Sequence, residues 1–414
     1  MREKLRSIRN KEIVLRVNYR DIIWLLFIAA IFVVTLELFY RMIVNYNNRY
    51  ESDVIYYVAT MFENGEEPTR LLSNMFFFFH SINQGTLEAN IYLAATISAL
   101  VVANYFAIRY FIRKDGLGDK VPRHAMQLFS AIMIFAGPLY VPVVHEWYYR
   151  KSFSSFAWHS PTQQSMTLWA LIAAICFIEM YTTGEKEGVD PWKWLLTMVT
   201  TLIATGFKPS YTISLCAAIL VMFSVDLIRG GKEGFAQRLI RLIIMGTSVI
   251  PSGLYIIWLN NKEFTEGTQL GEEHKIIIGF STVLNYEHLW AAILFGITIA
   301  LLVFAFNLSR FRDRKYRVVL YIFIMGVMQW ALISETGTRG NYGNFTWGRI
   351  FGSYFLTLAA CSILLENYYD KSYMSDNQKL RKIYLTAACI VVVWSVITQL
   401  IYLYMILKGH GYMH

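Results

Sequence analysis

Charge is the first thing this sequence lacks. Only 16% of its 414 residues are Asp, Glu, Lys or Arg, where soluble domains carry about a quarter. Between the apolar runs, residues 41–90 form the longest connecting stretch, which leaves no room for a separate soluble domain. The runs do not alternate apolar with polar residues, so a closed β-barrel is excluded. Cysteine is also scarce. Cys176, Cys216, Cys361 and Cys389 lack metal-ligand spacing and all fall inside apolar runs, so they read as small packing residues. P-loop, dinucleotide fingerprint and nucleophile elbow are all missing. His80, His145 and His159 have no second histidine at helical ligand spacing. A divalent metal is therefore conceivable but unsupported, and no other cofactor is implied.

What is abundant is hydrophobicity: 56% of residues are apolar and mean hydropathy is +0.39. Windows of the roughly 20 apolar residues that a membrane helix needs recur along the chain. The sequence predicts an all-α polytopic membrane domain over residues 1–414 with about 11 spans. They are placed at 22–40, 91–110, 126–144, 165–182, 192–206, 211–228, 239–258, 288–306, 318–333, 350–365 and 383–407. The basic segment 1–21 precedes an apolar run that ends in Tyr40-Arg41 rather than at a small-residue cleavage site. It is read as the cytoplasmic N-terminus before an uncleaved first span. On this topology, 27 of the 38 Lys and Arg residues lie on cytoplasmic segments or at the cytoplasmic ends of spans, which favours an N-in orientation. The net charge of +9 thus follows from topology and does not imply nucleic acid.

The segments assigned to the outer side have the more unusual composition, and function concentrates in such loops. Residues 41–90 form the first outer loop. In it, Val54, Tyr57, Val58 and Met61 recur at helical spacing, predicting an interfacial amphipathic helix. Asp53 lies near its start, where it either caps the helix or serves as a catalytic carboxylate. His80 closes a run of four phenylalanines in the same loop, and His159 sits in Trp158-His159-Ser160-Pro161. Residues 334–349 gather Glu335, Arg339, Asn344, Trp347 and Arg349 among several glycines. Arginine forks suit phosphate, and Asn and Trp suit sugar hydroxyls and ring faces. The same stretch also reads as a turn-rich connector with Trp347 as an interfacial anchor. Lys208-Pro209-Ser210-Tyr211 interrupts an apolar stretch. It either lines a cavity at a helix break or marks the turn between two short spans. Glu37 and Arg41, four apart, are expected to pair. Glu179 and Asp226 fall near cytoplasmic span ends, and no ionisable group stands out at mid-membrane depth, which weighs against a coupled transporter.

This layout of an N-in first span, a long first outer loop and many further spans resembles the GT-C superfamily of polytopic glycosyltransferases. The bacterial members linked to surface polysaccharides are the nearest in character. The Lys208-Pro209-Ser210 step and Asn344-Phe345-Thr346-Trp347-Gly348 also look like elements of such proteins. The resemblance implies a polyprenyl-phosphate-linked sugar donor, a glycan or lipid acceptor, and inverting transfer on the outer face of the bacterial cytoplasmic membrane. Asp53 of Glu51-Ser52-Asp53 matches the position of the catalytic carboxylate and would be the base. His80, His159, Lys208, Tyr211, Glu335, Arg339, Asn344, Trp347 and Arg349 would bind substrate. Unlike many relatives of that superfamily, no large extramembrane domain follows the spans.

Three other functions compete. A polysaccharide polymerase or ligase would rely on arginine-rich paired outer loops, to which only Arg339 and Arg349 approximate. A flippase of lipid-linked sugars would favour internal repeats and charges lining a cavity. A non-catalytic export scaffold would leave the glycine-, arginine- and tryptophan-containing segment unexplained.

Overall fold

A computed structural model of the chain describes residues 19–44, 87–118, 120–140, 156–231, 234–261, 275–279, 289–336 and 345–407. Among these residues it is an all-α bundle with one small two-stranded ribbon. The first helices are α1 (Tyr19–Val44), α2 (Leu87–Lys114) and the short α3 (Arg123–Ile132). Then come α4 (Pro161–Glu187), α5 (Pro191–Phe207), α6 (Ser210–Arg229), α7 (Phe235–Thr247) and α8 (Ile250–Asn261). Strand β1 (Ile276–Ile278) precedes α9 (Leu289–Gly296), α10 (Thr298–Ala305) and α11 (Arg314–Leu332). Strand β2 (Ile333–Glu335), α12 (Thr346–Tyr369) and α13 (Gln378–Leu407) complete the chain.

Seven of these helices, α1, α2, α4, α6, α11, α12 and α13, are long and apolar enough to cross a membrane. The bent pair α7–α8, with 47° between its halves, makes an eighth if it is one span. This is the architecture of an integral membrane protein, but the expected count of about 11 is not confirmed. Helix α5 has only 17 residues, close to the short fifth span expected. Expected span 288–306 is interrupted at Ile297 (φ −122°, ψ 22°). Expected span 126–144 is helical only to Ile132, passes through a 3₁₀ turn to Phe135, and has no regular secondary structure over 136–140, where the described residues stop.

The last departure has a local cause. Pro138 lacks an amide hydrogen and disfavours helix at Gly137 before it. Freed backbone groups at membrane depth must be satisfied by protein, and here they are. The Leu139 amide donates to the Phe295 carbonyl (3.0 Å), Trp394 Nε1 donates to the Tyr140 carbonyl (3.2 Å), and Ser395 Oγ donates to the Gly137 carbonyl. A small hollow of about 10 Å³ remains between these breaks, lined by Thr298, Thr357 and Ser395 among others.

Helix α12 is the axis of the bundle. Every residue from Trp347 to Asn367 is buried, as a helix that is apolar on all sides requires. It packs against α2, α6, α10 and α11. The α11–α12 approach is closest where glycines meet. A Cβ on Gly326 would lie 2.6 Å from the Gly348 carbonyl oxygen, and one on Gly352 would lie 2.7 Å from Phe323 Cα. Gly348-Arg349-Ile350-Phe351-Gly352 is thus a small-xxx-small face, a device that lets membrane helices approach backbone to backbone. At the edges, α1 and α13 keep only about a fifth and a third of their apolar windows buried, exposing residues such as Leu25, Leu26, Ile390 and Val393.

Polar contacts sort the helix ends into two groups. At one end, Arg123 pairs with Asp21 at the start of α1 (2.7 Å). There too, Lys114 at the end of α2 reaches Glu179 of α4 (3.0 Å), and Lys193 at the start of α5 reaches the same carboxylate (3.4 Å). The expected Glu37–Arg41 pair is present (2.7 Å) near the far end of α1. At that far end, Tyr92 near the start of α2 donates to Ser165 near the start of α4 (3.1 Å). The ends are called the charged end and the tryptophan end below.

Candidate functional site

The tryptophan end is assembled from helix termini. Helix α5 stops because Lys208 is extended (φ −152°, ψ 108°), and Pro209 (φ −61°, ψ −27°) starts α6. Thr205 and Thr212 hydroxyls bridge the turn at 2.6 Å. Both the start of α5 and the end of α6 contact α4 at the charged end. The Lys208-Pro209 step is therefore the tight turn of a helical hairpin, the second of the two readings left open by the sequence. Helix α12 begins with Thr346, and Arg349 Nη2 donates to the Thr346 hydroxyl one turn back (2.8 Å).

Three short segments meet here: Lys208-Pro209-Ser210, Gln329-Trp330 of α11, and Trp347-Gly348-Arg349 of α12. Lys208 Nζ lies 4.4 Å from the centre of the Trp347 ring, and the Arg349 guanidinium lies 5.2 Å from that of Trp330. Cation–π contacts of this kind contribute roughly 2 kcal/mol when desolvated, and both cations are over 90% buried. Gly348 is the hub, since a Cβ there would stand 2.5 Å from Gln329 Oε1, 2.9 Å from the Ser210 carbonyl oxygen and 3.0 Å from Ser214 Oγ.

His159 enters from the segment before α4. Its Nδ1 is hydrogen-bonded to Tyr402 Oη of α13, and its ring centre is 6.4 Å from that of Trp347. Glutamines hold the segment in place. Gln164 Nε2 donates to the Trp158 carbonyl (2.9 Å) and Gln399 Nε2 to that of Phe156 (3.0 Å). Around them lies a belt of neutral polar groups with no measurable exposure, including Ser160, Thr162, Gln163 and Ser165. Hydroxyls and amides of this kind can pair with a polyhydroxylated ligand.

The structure therefore brings together four of the residues singled out in the sequence: His159, Lys208, Trp347 and Arg349. Tyr211 lies one layer beneath as a packing residue. Its ring meets Phe351 edge-on at 4.8 Å and its hydroxyl donates to the Ala170 carbonyl (3.3 Å). Glu335 is the last residue of β2, which pairs antiparallel with β1 so that Glu335 faces Ile276. This ribbon continues directly from α11 and is half-buried at Glu335. Asp53, His80, Arg339 and Asn344 lie outside the described residues, as do the interfacial helix expected in the first outer loop and most of the basic segment 1–21. No cluster of three metal-ligating side chains occurs among the described residues.

Gln329, Trp330 and Tyr402 were not singled out in the sequence. They sit inside ordinary apolar spans, and which side of the helix faces the site depends on packing. Gly348-x-x-x-Gly352 was the available signal, because it marks where α12 meets a neighbour.

The charged end holds a second polar cluster. Arg310 bridges Asp115 (2.5 Å) and Glu366 (2.6 Å), and Lys315 pairs with Asp115. Tyr316 Oη donates to Asp115 Oδ2 (2.7 Å). Burial alone would raise the Asp115 carboxyl, but its hydrogen bonds with Glu366 and Lys315 and the charges of Lys315 and Arg310 hold it below its ordinary value. Two cations and two carboxylates close on one another here, which suits a structural clamp better than a ligand site.

No protein-family model matches the chain, and no curated protein matches it.

Proposed function

We propose that the protein is a GT-C-type membrane glycosyltransferase. It would move a sugar from a polyprenyl-phosphate donor to a cell-surface glycan or lipid acceptor on the outer face of a bacterial cytoplasmic membrane. The observation that carries this reading is the convergence of Lys208 over Trp347 and Arg349 over Trp330 beside a belt of buried hydroxyls and amides. Fixed cations stabilise the negative charge that grows on a lipid phosphate as the glycosidic bond breaks. Indole faces and neutral polar groups suit the sugar. The Lys and Arg bias supports placing the charged end in the cytoplasm and the tryptophan end outside.

In this reading Asp53 is the general base. A carboxylate with an ordinary pKa near 3.9 is ionised at neutral pH and needs only positioning. It takes the acceptor hydroxyl proton as that oxygen attacks the anomeric carbon, while the lipid phosphate leaves with the bonding electrons. The test is transfer of radiolabelled hexose from a polyprenyl-phosphate donor to envelope glycan in vesicles containing the protein. Asp53→Asn should lower transfer by about a hundredfold or more while donor binding persists. Transfer at the wild-type rate would remove Asp53 as the base, and absence of transfer by the wild-type protein from every hexose donor would remove the enzyme reading.

A further inference from the structure

Gln329 occupies the centre of the tryptophan end. It is only 5% exposed, its Oε1 packs on the bare Cα of Gly348, and neither Oε1 nor Nε2 has a hydrogen-bond partner among the described residues. The indole N–H of Trp347, beside Gly348, is also buried and unpartnered among them. Leaving such groups unmatched in a buried place is costly, and an apolar residue of similar size would fill the same space without that cost. A donor and an acceptor held in reserve against Gly348, the residue between Trp347 and Arg349, indicate a ligand that presents neutral hydroxyls next to an anion.

Resting on the glycosyltransferase reading, we propose that Gln329 reads the sugar. Its carboxamide pairs with hydroxyls of the hexose while Lys208 and Arg349 engage the phosphate to which that hexose is attached. An amide donates and accepts at once, which matches a pair of adjacent hydroxyls and offers little to a bare phosphate. A site built to bond a hydroxyl also discriminates strongly against ligands that lack it or aim it elsewhere. Gln329 is thereby the residue that sets which hexose the donor carries. The Trp347 N–H adds a second donor from the residue next to Gly348.

The experiment compares binding of a C55 polyprenyl phosphate with that of the same lipid phosphate bearing glucose, galactose or mannose. The protein is held in lipid nanodiscs and binding is followed by tryptophan fluorescence. Wild-type protein should bind one hexose form more tightly than the bare phosphate. Gln329→Met, similar in size and apolar, should keep its affinity for the bare phosphate and lose about tenfold for the preferred hexose form. It should also discriminate less among the three sugars, with a melting temperature equal to or above that of wild type. Trp347→Phe should give a smaller loss in the same direction. An unchanged hexose increment in both variants would overturn the proposal. So would a loss of binding to methyl hexosides alone with the donor increment intact, because that would assign Gln329 to the acceptor. If wild-type protein binds neither the bare phosphate nor any hexose form, the glycosyltransferase reading itself fails.

Discussion

The two ends of the bundle use the same cationic side chains in opposite ways. At the charged end Arg310 and Lys315 meet the carboxyl groups of Asp115 and Glu366, which offset part of their field. At the tryptophan end Lys208 and Arg349 lie on indole faces. A ring quadrupole holds a cation in place without adding a negative charge. Cations paired with carboxyl groups fix helices to one another, whereas an indole face positions a cation without adding a charge of its own. On the proposed glycosyltransferase reading, the difference separates a clamp from a recognition site, although both are buried and both join several helices.

Breaking the clamp should have the largest effect on folding. Arg310→Ala leaves Asp115 and Glu366 buried with one cation fewer, and removing one partner of such a network costs about 3–5 kcal/mol. A thermal melt in detergent should show a large loss of stability. Lys208→Met and Arg349→Met remove cations whose ring contacts contribute about 2 kcal/mol, so these variants should melt nearer to wild type. The comparison would collapse if the tryptophan-end variants unfolded and Arg310→Ala did not.

Crowding Gly348 or Gly352 comes next. An added methyl at Gly348 collides with Gln329 and the Ser210 carbonyl, and overpacking of this kind costs roughly 1–3 kcal/mol. Gly348→Ala should also weaken lipid phosphate binding, because it displaces Trp347 and Arg349 on either side. Gly352→Ala should lower stability through the α11–α12 contact alone, and equal binding losses in both variants would argue against a local role for Gly348.

Acid sharpens the contrast further. The folded Asp115 carboxyl titrates below its ordinary value, so its contribution to stability is complete above about pH 4. That contribution is lost as pH falls through the lower folded value. Melting temperature should therefore hold from neutrality to about pH 4 and fall below it, and Asp115→Asn should flatten that fall. An unchanged acid limb in the variant would show that other carboxylates carry it. The smallest effect is expected at the exposed Lys120–Asp370 pair, where Lys120→Ala should cost about 1 kcal/mol or less.

Much of this architecture was legible in composition and pattern. The long apolar runs marked the spanning helices, and Pro209, lacking an amide hydrogen, marked an interruption there without deciding between a cavity-lining break and a turn. The Gly137-Pro138 break carried the same local signal but sat within a run apolar enough to read as one span. Its stabilising partners, Phe295, Trp394 and Ser395, lie far along the chain and could not be foreseen. At the site, Lys208, Trp347 and Arg349 drew notice because they interrupt or flank apolar runs. Gln329 and Trp330 did not, since helical periodicity gives no rotational phase toward a particular neighbour. The Asp115–Arg310–Glu366 network was hidden for the same reason: Asp115 follows α2, Arg310 lies in the 3₁₀ turn Leu308–Arg312 before α11, Glu366 is in α12, and they meet only when these elements have packed.

The central claim is that the tryptophan end binds a lipid-linked phosphate through Lys208 and Arg349. Its most direct test is titration of C55 polyprenyl phosphate into nanodisc-embedded protein, comparing wild type with Lys208→Met, Arg349→Met and, as a control at the charged end, Lys120→Ala. The account predicts affinity about tenfold lower or worse in the first two variants and unchanged in the control. Equal affinity in all four proteins would contradict it.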